Sequence, residues 1–377
     1  MSEHQLRVLF VISFLDRGGS ERQMINLAIG LIELGHRAEI GVLVKPGSLA
    51  AAARERGIPV IDLSEGTGSL RRGLSGLRKF VRGNHPDVIH PYLPRDNALV
   101  SLLKPLLRPS KVVWGVRASD VDLTKYSPIT RLLWPFVVKM SRRADLLIAN
   151  SEVGARYHVA VGYPSDRVHV VCNGINTDTF DHRPLAGESF RQSLGIEPNA
   201  PLLGLIGRFD PMKGHDRLAD IMVRVQAHIP DVHVVAVGTH TSDQSQRLAG
   251  SFDQVGLSDR LTLVAEVSDP SGAFNACDVV LLPSYSEGFP NVLAEALACG
   301  TPTVAFDVGD ARRISGDFCP VVEQNDVEAF ASAVVEMIIN PPDSGALRQH
   351  IQANFSLAHL ASRTSEILRN LTGNQGR

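Results

Sequence analysis

A chain of 377 residues exceeds what a single hydrophobic core organises, so two lobes are the default reading. With 44% hydrophobic and 21% charged residues it has the make-up of a globular protein, which excludes a disordered or fibrous chain. The net charge of −2 conceals opposed halves, because residues 1–185 carry 25 Lys and Arg against 17 Asp and Glu while the remainder carry 13 against 23, and a basic half suits an anionic partner.

The chain begins with a polar, charged lead at residues 1–7 before the apolar run 8–12, which is too short for a signal-peptide core, so cytoplasmic residence is expected. No window approaches the ~20 apolar residues that a spanning helix needs. Short β-rich runs then alternate with helical patterns, the mark of α/β units around parallel sheets. In the first lobe the pattern predicts a buried strand over 7–13, a helix over 20–34 closed by Gly35 and a strand over 38–44. Ser20 and Gln23 have the spacing of a capping box, which would start that helix just after Gly18-Gly19. Later strands are predicted at 88–90, 111–116, 145–149 and 168–171.

The stretch 173–200 is rich in Asn, Asp, Pro and Gly and reads as the linker. Beyond it come a strand over 202–206, a helix over 216–228, a strand over 232–237, a helix over 242–255, and strands over 261–264 and 279–282. A helix from 291 and a strand over 303–305 follow, then two terminal helices near 326–339 and 357–371, separated by Pro341-Pro342. The four cysteines, Cys172, Cys277, Cys299 and Cys319, form no C-x-x-C pair and read as small buried hydrophobes. The basic run Lys139-Met140-Ser141-Arg142-Arg143 follows the apolar stretch 132–138. Solvated helix faces and docking on an anionic membrane both fit it.

Three motifs carry chemistry. Ser284-Tyr285-Ser286-Glu287-Gly288-Phe289-Pro290-Asn291 leads through Val292 to Glu295. Gly288-Phe289-Pro290 cannot continue a helix, so Glu287 is predicted in a loop and Glu295 about one turn inside the helix that starts at Asn291. Backbone N–H groups at a helix start favour anionic or oxygen-rich ligands, and a carboxylate beside them can accept from sugar hydroxyls. The second motif, Gly207-Arg208-Phe209-Asp210-Pro211-Met212-Lys213-Gly214, follows a strand directly, where open α/β sheets bind ligands. Arg208 and Lys213 there suit a diphosphate, one as a planar fork and the other as a point charge. The third, Gly18-Gly19, is a tight strand-to-helix turn without a G-x-G-x-x-G fingerprint, read either as a backbone approach to ligand or as a plain turn. His90 ends a strand, where it could meet an acceptor hydroxyl or be structural. The remaining histidines show no metal spacing.

Taken together these residues resemble glycosyltransferase family 4, the retaining group 1 glycosyltransferases of GT-B fold, over nearly the whole chain. The match comprises Gly18-Gly19-Ser20-Glu21, Asn173-Gly174-Ile175-Asn176, Gly207-Arg208 through Lys213-Gly214, and Glu287 through Glu295 with Gly300-Thr301-Pro302. The resemblance implies two Rossmann-like α/β/α domains facing each other across a cleft. Residues 1–180 would form the acceptor side, and 181–356 would bind the donor. The helix in 357–377 would cross back to the first domain.

It also implies that Arg208 and Lys213 hold the phosphates of a nucleotide diphosphate sugar and that Glu287 meets the transferred sugar. Glu295 would hold the ribose, and the backbone of Gly288, Phe289, Pro290, Asn291 and Val292 would meet sugar and diphosphate. Catalytic roles fall on Arg208, Lys213 and Glu287. Gly18, Gly19 and Val267 complete the donor set, and His90 and Arg117 are acceptor-side candidates. No cofactor, metal or nucleic acid is expected.

Three departures from the family pattern stand out. Ala265-Glu266-Val267 replaces a glycine beside the base, Arg117 stands where a histidine is common, and Gly309-Asp310-Ala311-Arg312-Arg313 lacks a downstream glutamate. The function implied is retaining, metal-independent transfer of a hexose from a UDP- or GDP-sugar to a glycan or lipid-linked acceptor. Cell-surface polysaccharide or glycolipid biosynthesis would be its setting, with peripheral attachment to the membrane as one location. A nucleotide-sugar epimerase, a glycosidase and a non-catalytic nucleotide-sugar-binding protein are the competing readings.

Overall fold

The computed structural model describes residues 5–16, 18–117, 128–239, 241–265, 267 and 269–373. The chain divides into two compact units, Met1–Gly174 with Leu357–Arg377, and Ile175–Ser356.

The N-terminal unit alternates strand and helix: β1 (Arg7–Phe14), α1 (Gly19–Glu33), β2 (Arg37–Lys45), α2 (Leu49–Glu55), β3 (Val60–Asp62), α3 (Leu70–Asn84), β4 (Val88–Pro91), α4 (Pro94–Leu103), β5 (Lys111–Val116), α5 (Pro128–Ser141), β6 (Leu146–Ala149), α6 (Glu152–Ala160) and β7 (Val168–Val170). Its sheet runs β3-β2-β1-β4-β5-β6-β7, with every pairing parallel. β1 is a continuous apolar run because both its faces are covered. Val8, Phe10 and Ile12 point into one core with Met24, Leu27 and Leu31 of α1, while Leu9 and Val11 point into the opposite core with Leu77, Val81 and Trp114. That split follows from the two-residue period of a strand.

The C-terminal unit repeats the scheme with α7 (Pro184–Ser193), β8 (Leu202–Ile206), α8 (Leu218–Gln226), β9 (His233–Val237), α9 (Ser242–Gln254), β10 (Leu261–Val264), α10 (Ser271–Ala276), β11 (Val279–Leu282), α11 (Asn291–Cys299), β12 (Thr303–Phe306), α12 (Ala311–Ser315), β13 (Val321–Val322), α13 (Val327–Ile339) and α14 (Ser344–Phe355). Its parallel sheet runs β10-β9-β8-β11-β12-β13. Leu203 and Leu205 of β8 pack with Leu218, Ile221 and Met222 of α8, and Leu202 packs on the other side with Phe274 of α10 and Ala296 of α11.

The last helix, α15 (Leu357–Gly373), belongs to the N-terminal unit and packs on α1, with Leu360 and Leu368 in the same core as Met24 and Leu31. The crossing is close at Gly30, where an added Cβ would lie 2.6 Å from the Ala361 Cβ. Only a residue without a side chain fits.

Four sequence expectations are corrected. The Ser20/Gln23 capping box does not form: Gly18 is the N-cap of α1 and has no side-chain cap bond. Gln23 turns instead to Gly174, donating through Nε2 to its carbonyl at 3.0 Å and accepting from its N–H at 3.2 Å, which fastens the end of the N-terminal unit to α1. The stretch read as linker holds α7, whose Arg191 donates to the carbonyls of Ala276 and Ala200 and to the Asp278 carboxylate. A further helix, α14, stands between the two predicted terminal ones, its N-cap Asp343 accepting from the Ala346 N–H at 2.8 Å. Cys172 is half-buried rather than buried, unlike Cys277, Cys299 and Cys319.

Candidate functional site

In the C-terminal unit the chain winds one way from β8 to β9 and β10 and the other way to β11, β12 and β13, so the switch point lies between β8 and β11. Loops leaving neighbouring strands at such a point diverge and leave a crevice at the carboxyl edge. A pocket occupies that place, lined by Ile206 and Gly207 after β8, Leu282, Pro283 and Ser284 after β11, and by Lys213 and Val292.

The two loops are joined by backbone and side chain. Tyr285 N–H donates to the Met212 carbonyl at 2.8 Å, and Gly214 sits at φ +71° with Pro283 O 2.0 Å from where a Cβ would stand. Asp210 shapes the first loop by accepting from the Met212 N–H at 2.9 Å. Across the crevice Lys213 Nζ donates to Glu287 Oε1 at 2.7 Å, and Ser284 Oγ donates to the same oxygen at 2.8 Å. The Lys213 side chain, which lines the pocket, is 32% exposed and that of Glu287 11%, so the pair is partly screened from water. Lys213 and Glu287 lie 74 residues apart in sequence, and the adjacency of β8 and β11 brings them together.

The other predicted donor residues are distributed around this pair. Arg208 is 68% exposed and, among the described residues, its guanidinium pairs with the Asp210 carboxylate at 3.5 Å. Phe289 is buried against the Phe355 ring at 5.6 Å, and Pro290 is the N-cap residue of α11. Gly288 is held by the Asp310 N–H, which donates to its carbonyl at 3.0 Å. Asn291 begins α11, Val292 lines the pocket, and Glu295 is half-buried in the second turn. Val267 packs with Ile206 and Val292 in one hydrophobic cluster. Of the departures from the family pattern, Asp310 is buried and Arg313 exposed, while Glu266 lies outside the described residues.

Gly18, Gly19, His90 and Arg117 belong to the N-terminal unit. Gly18 and Gly19 open α1, and Gly18 lies against the Glu21 carboxylate. His90 is 0% exposed and therefore not open to an acceptor hydroxyl in this structure. Its Nδ1 bonds the Val113 carbonyl at 2.7 Å, and its ring packs on Phe10 and Tyr92 at 5.3 Å each. Burial, with the Arg117 charge as a second cause, pushes its pKa down to about 3, so the ring is neutral and Nδ1 carries the proton.

Several residues that sequence reasoning assigned no role support the Glu287 loop. Buried Arg217 lies between the Tyr285 and Phe306 rings, 3.7 and 4.6 Å from their centroids. It donates to the Pro283 carbonyl at 3.0 Å and to Asn325 Oδ1. Gln324 Nε2 donates to the carbonyls of Ser284 and Tyr285, and the Tyr285 hydroxyl donates to Asp216 at 2.7 Å. His215 stacks on Phe209 at 4.1 Å, and burial followed by the Lys213 charge lowers its pKa to about 4. The only local signal for Arg217 was its place just after the basic loop. Among the described residues no group of three or more His, Cys, Asp or Glu side chains could hold a metal ion.

Comparison with known proteins matches residues 17–179 to the model described as Glycosyltransferase Family 4 and residues 187–354 to that described as Glycosyl transferases group 1. D-inositol 3-phosphate glycosyltransferase of Mycobacterium marinum is 27% identical over 94% of this chain and 80% of its own length. The protein of that name from Mycolicibacterium smegmatis is 33% identical over 57% of the chain, which spans about half the length of that relative. Among solved structures, Anabaena HepE in complex with UDP and glucose superposes with a TM-score of 0.82 at 22% identity, covering 97% of this chain and 100% of that one. Sucrose-phosphate synthase from Thermosynechococcus elongatus superposes at 0.80 with 20% identity, covering 98% and 100%.

Proposed function

We propose, for a chain that belongs to the family 4, group 1 glycosyltransferases of GT-B fold, that it transfers a hexose from a nucleoside diphosphate sugar to the hydroxyl of a glycan or lipid-linked acceptor, with retention at the anomeric carbon and without a metal ion. The observation that carries this reading is the Lys213–Glu287 pair at the switch-point pocket, a cation and a carboxylate presented together beside the start of α11. In this reading the N-terminal N–H groups of α11 and Lys213 take the diphosphate, and Arg208 swings in from solvent as a second cation. Glu287 accepts from a sugar hydroxyl, and Glu295 meets the ribose. Positive charge that strengthens its hold as the leaving phosphate gains charge lowers the barrier without a metal. Retention then requires attack from the face the phosphate leaves, with the phosphate taking the acceptor proton.

The structural neighbour HepE is in complex with UDP and glucose, which makes UDP-glucose the first donor to try, and the relatives' name makes an inositol phosphate the first soluble acceptor. The test is release of nucleoside diphosphate that depends on acceptor and persists in EDTA, with the product's anomeric configuration read by NMR. Donor turnover that changes the sugar's configuration without acceptor would identify an epimerase. Tight donor binding without turnover would identify a binding protein.

Peripheral attachment to an anionic membrane is supported by α5, which exposes Leu132 (80%), Leu133 and Phe136 beside the exposed Lys139, Arg142 and Arg143. No helix among the described residues is long and apolar enough to cross a membrane. Sedimentation with anionic but not neutral vesicles, lost in Leu132→Ser/Phe136→Ser, tests the attachment.

A further inference from the structure

The backbone around Glu287 is held by turns from neighbouring strands. Before it, Gln324 Nε2 donates to the carbonyls of Ser284 and Tyr285, and the Tyr285 N–H donates to the Met212 carbonyl. After it, the turn from β12 to α12 supplies a floor. The Asp310 N–H donates to the Gly288 carbonyl at 3.0 Å, and Gly309, at φ +54°, lies so close that an added Cβ would stand 2.5 Å from the Glu287 carbonyl oxygen. The side chain beyond that backbone keeps its own rotations, and a terminal carboxylate turns broadly about its last bond. Two side-chain donors restrain it, and both meet the same oxygen, Oε1: Lys213 Nζ at 2.7 Å and Ser284 Oγ at 2.8 Å. Oε2 is therefore the oxygen left to accept from a ligand.

The two donors are unlike. Ser284 is 0% exposed, stands three residues before Glu287, and has one short rotor with a single proton to give. Lys213 is a third exposed, on a flexible four-carbon stem, and is the cation that the proposed function turns toward the diphosphate. An ammonium that meets phosphate oxygens divides its charge between them and the carboxylate, so its hold on Oε1 loosens as the donor arrives.

We infer that Ser284 is the positioning residue of the sugar subsite: by fixing Glu287 Oε1 it aims Oε2 at one hydroxyl of the transferred hexose, and it keeps that aim when Lys213 turns to the diphosphate. This rests on the glycosyltransferase reading above and adds to it how one hexose hydroxyl is selected. Ser284 acts through Glu287 and not on the reacting atoms. A carboxylate already fixed discriminates between hydroxyls by direction, whereas one free to swivel adapts to either and loses rotational freedom when it binds.

The test is calorimetric and needs no acceptor. UDP-glucose, UDP-galactose and GDP-mannose are titrated into the full chain, followed by the monodeoxy analogues of the donor that binds most tightly and by its nucleoside diphosphate alone. The native protein should bind one monodeoxy analogue about 10- to 10²-fold more weakly than the intact donor, the scale of a hydrogen bond to a charged group. Ser284→Ala should bind the intact donor about tenfold more weakly and the nucleoside diphosphate within about twofold of native, which also shows that the variant is folded. It should bind that one analogue within about threefold of native, because the contact that Ser284 supports is already missing there. Ser284→Cys, which restores the volume but offers only a weak donor, should behave as the alanine variant does.

Native affinity for the intact donor in Ser284→Ala or Ser284→Cys overturns the inference. So does an equal loss for the nucleoside diphosphate, which would place the effect at the phosphates, or an equal loss for every analogue, which would make Ser284 a structural residue. Donor binding by the native protein with no discrimination among the analogues sinks only the Ser284 proposal. Failure to bind any nucleoside diphosphate sugar would sink the glycosyltransferase reading with it.

Discussion

Replacing Lys213 by methionine removes one charge and keeps most of the side-chain stem. In the native protein the Nζ donates to Glu287 Oε1 at 2.7 Å, and Ser284 donates to the same oxygen at 2.8 Å. At an effective dielectric constant of about 20 the gross attraction over such a distance is about 6 kcal/mol, but desolvation and the ordering of a long side chain cancel most of it. Because Lys213 is a third exposed and Ser284 still satisfies the carboxylate, the net loss of folding stability should be about 1 kcal/mol, a few degrees in Tm. The loss in the reaction is larger: a group that stabilises charge developing on a leaving phosphate is worth about 10²- to 10³-fold in rate, roughly 2.7 to 4 kcal/mol. Stability and catalysis should therefore separate. The assay is kcat/KM by nucleoside diphosphate release, with thermal midpoints measured on the same preparations. A variant within threefold of the parent in kcat/KM would refute the reasoning, and so would a drop in activity that the unfolded fraction alone explains.

Arg217→Met should cost about 3 kcal/mol in urea denaturation, because the Pro283 carbonyl and Asn325 lose a buried donor and the Tyr285–Phe306 sandwich loses its filling; an unchanged midpoint would show that the loop holds without it. Gly214→Ala places a methyl against the Pro283 carbonyl at a positive φ, so donor affinity should fall about tenfold or more by calorimetry, and native affinity in that variant would refute the packing argument. The buried His90 makes the protein sensitive to acid. Its imidazole takes up a proton below about 6.5 when unfolded but only near 3 when folded, so protons favour the unfolded state between those values. Stability due to this residue therefore falls as pH drops through 6.5, by about 2 kcal/mol at pH 5. His90→Gln should show a correspondingly smaller drop in urea midpoint between pH 7 and pH 5, and an equal drop in both proteins would rule the assignment out.

Strands with an apolar run of four or more residues were legible because their signal is local. Residues 111–116, 202–206 and 279–282, largely buried, and the half-buried edge strand 261–264 read as strands from those runs and have those bounds in the structure. The short edge strands β3 and β13 escaped notice because a half-buried strand of three or two residues has no apolar run to announce it. α7 was hidden by its setting, since Pro184 and the glycines around it read as turn material, whereas Pro184 occupies the first helical position, where a missing N–H costs nothing. The expected capping box failed for a tertiary reason: Gln23 bonds both polar groups of Gly174, 151 residues away.

The alternating α/β architecture, the motif residues and the family are readable along the chain, because periodicity, turn chemistry and motif spacing act over a few residues. Which side chains meet depends on how the strands are ordered in the folded units. The order β10-β9-β8-β11-β12-β13 sets Lys213 against Glu287 and adds Ser284 to the same oxygen. The contact network places Arg217, Gln324 and Asn325 behind the loop. Packing buries His90 and stacks the Arg117 guanidinium on the Tyr92 ring. The physical reason is that burial and partnership depend on strand order and sheet edges, which join residues tens of positions apart, and no local spacing encodes them.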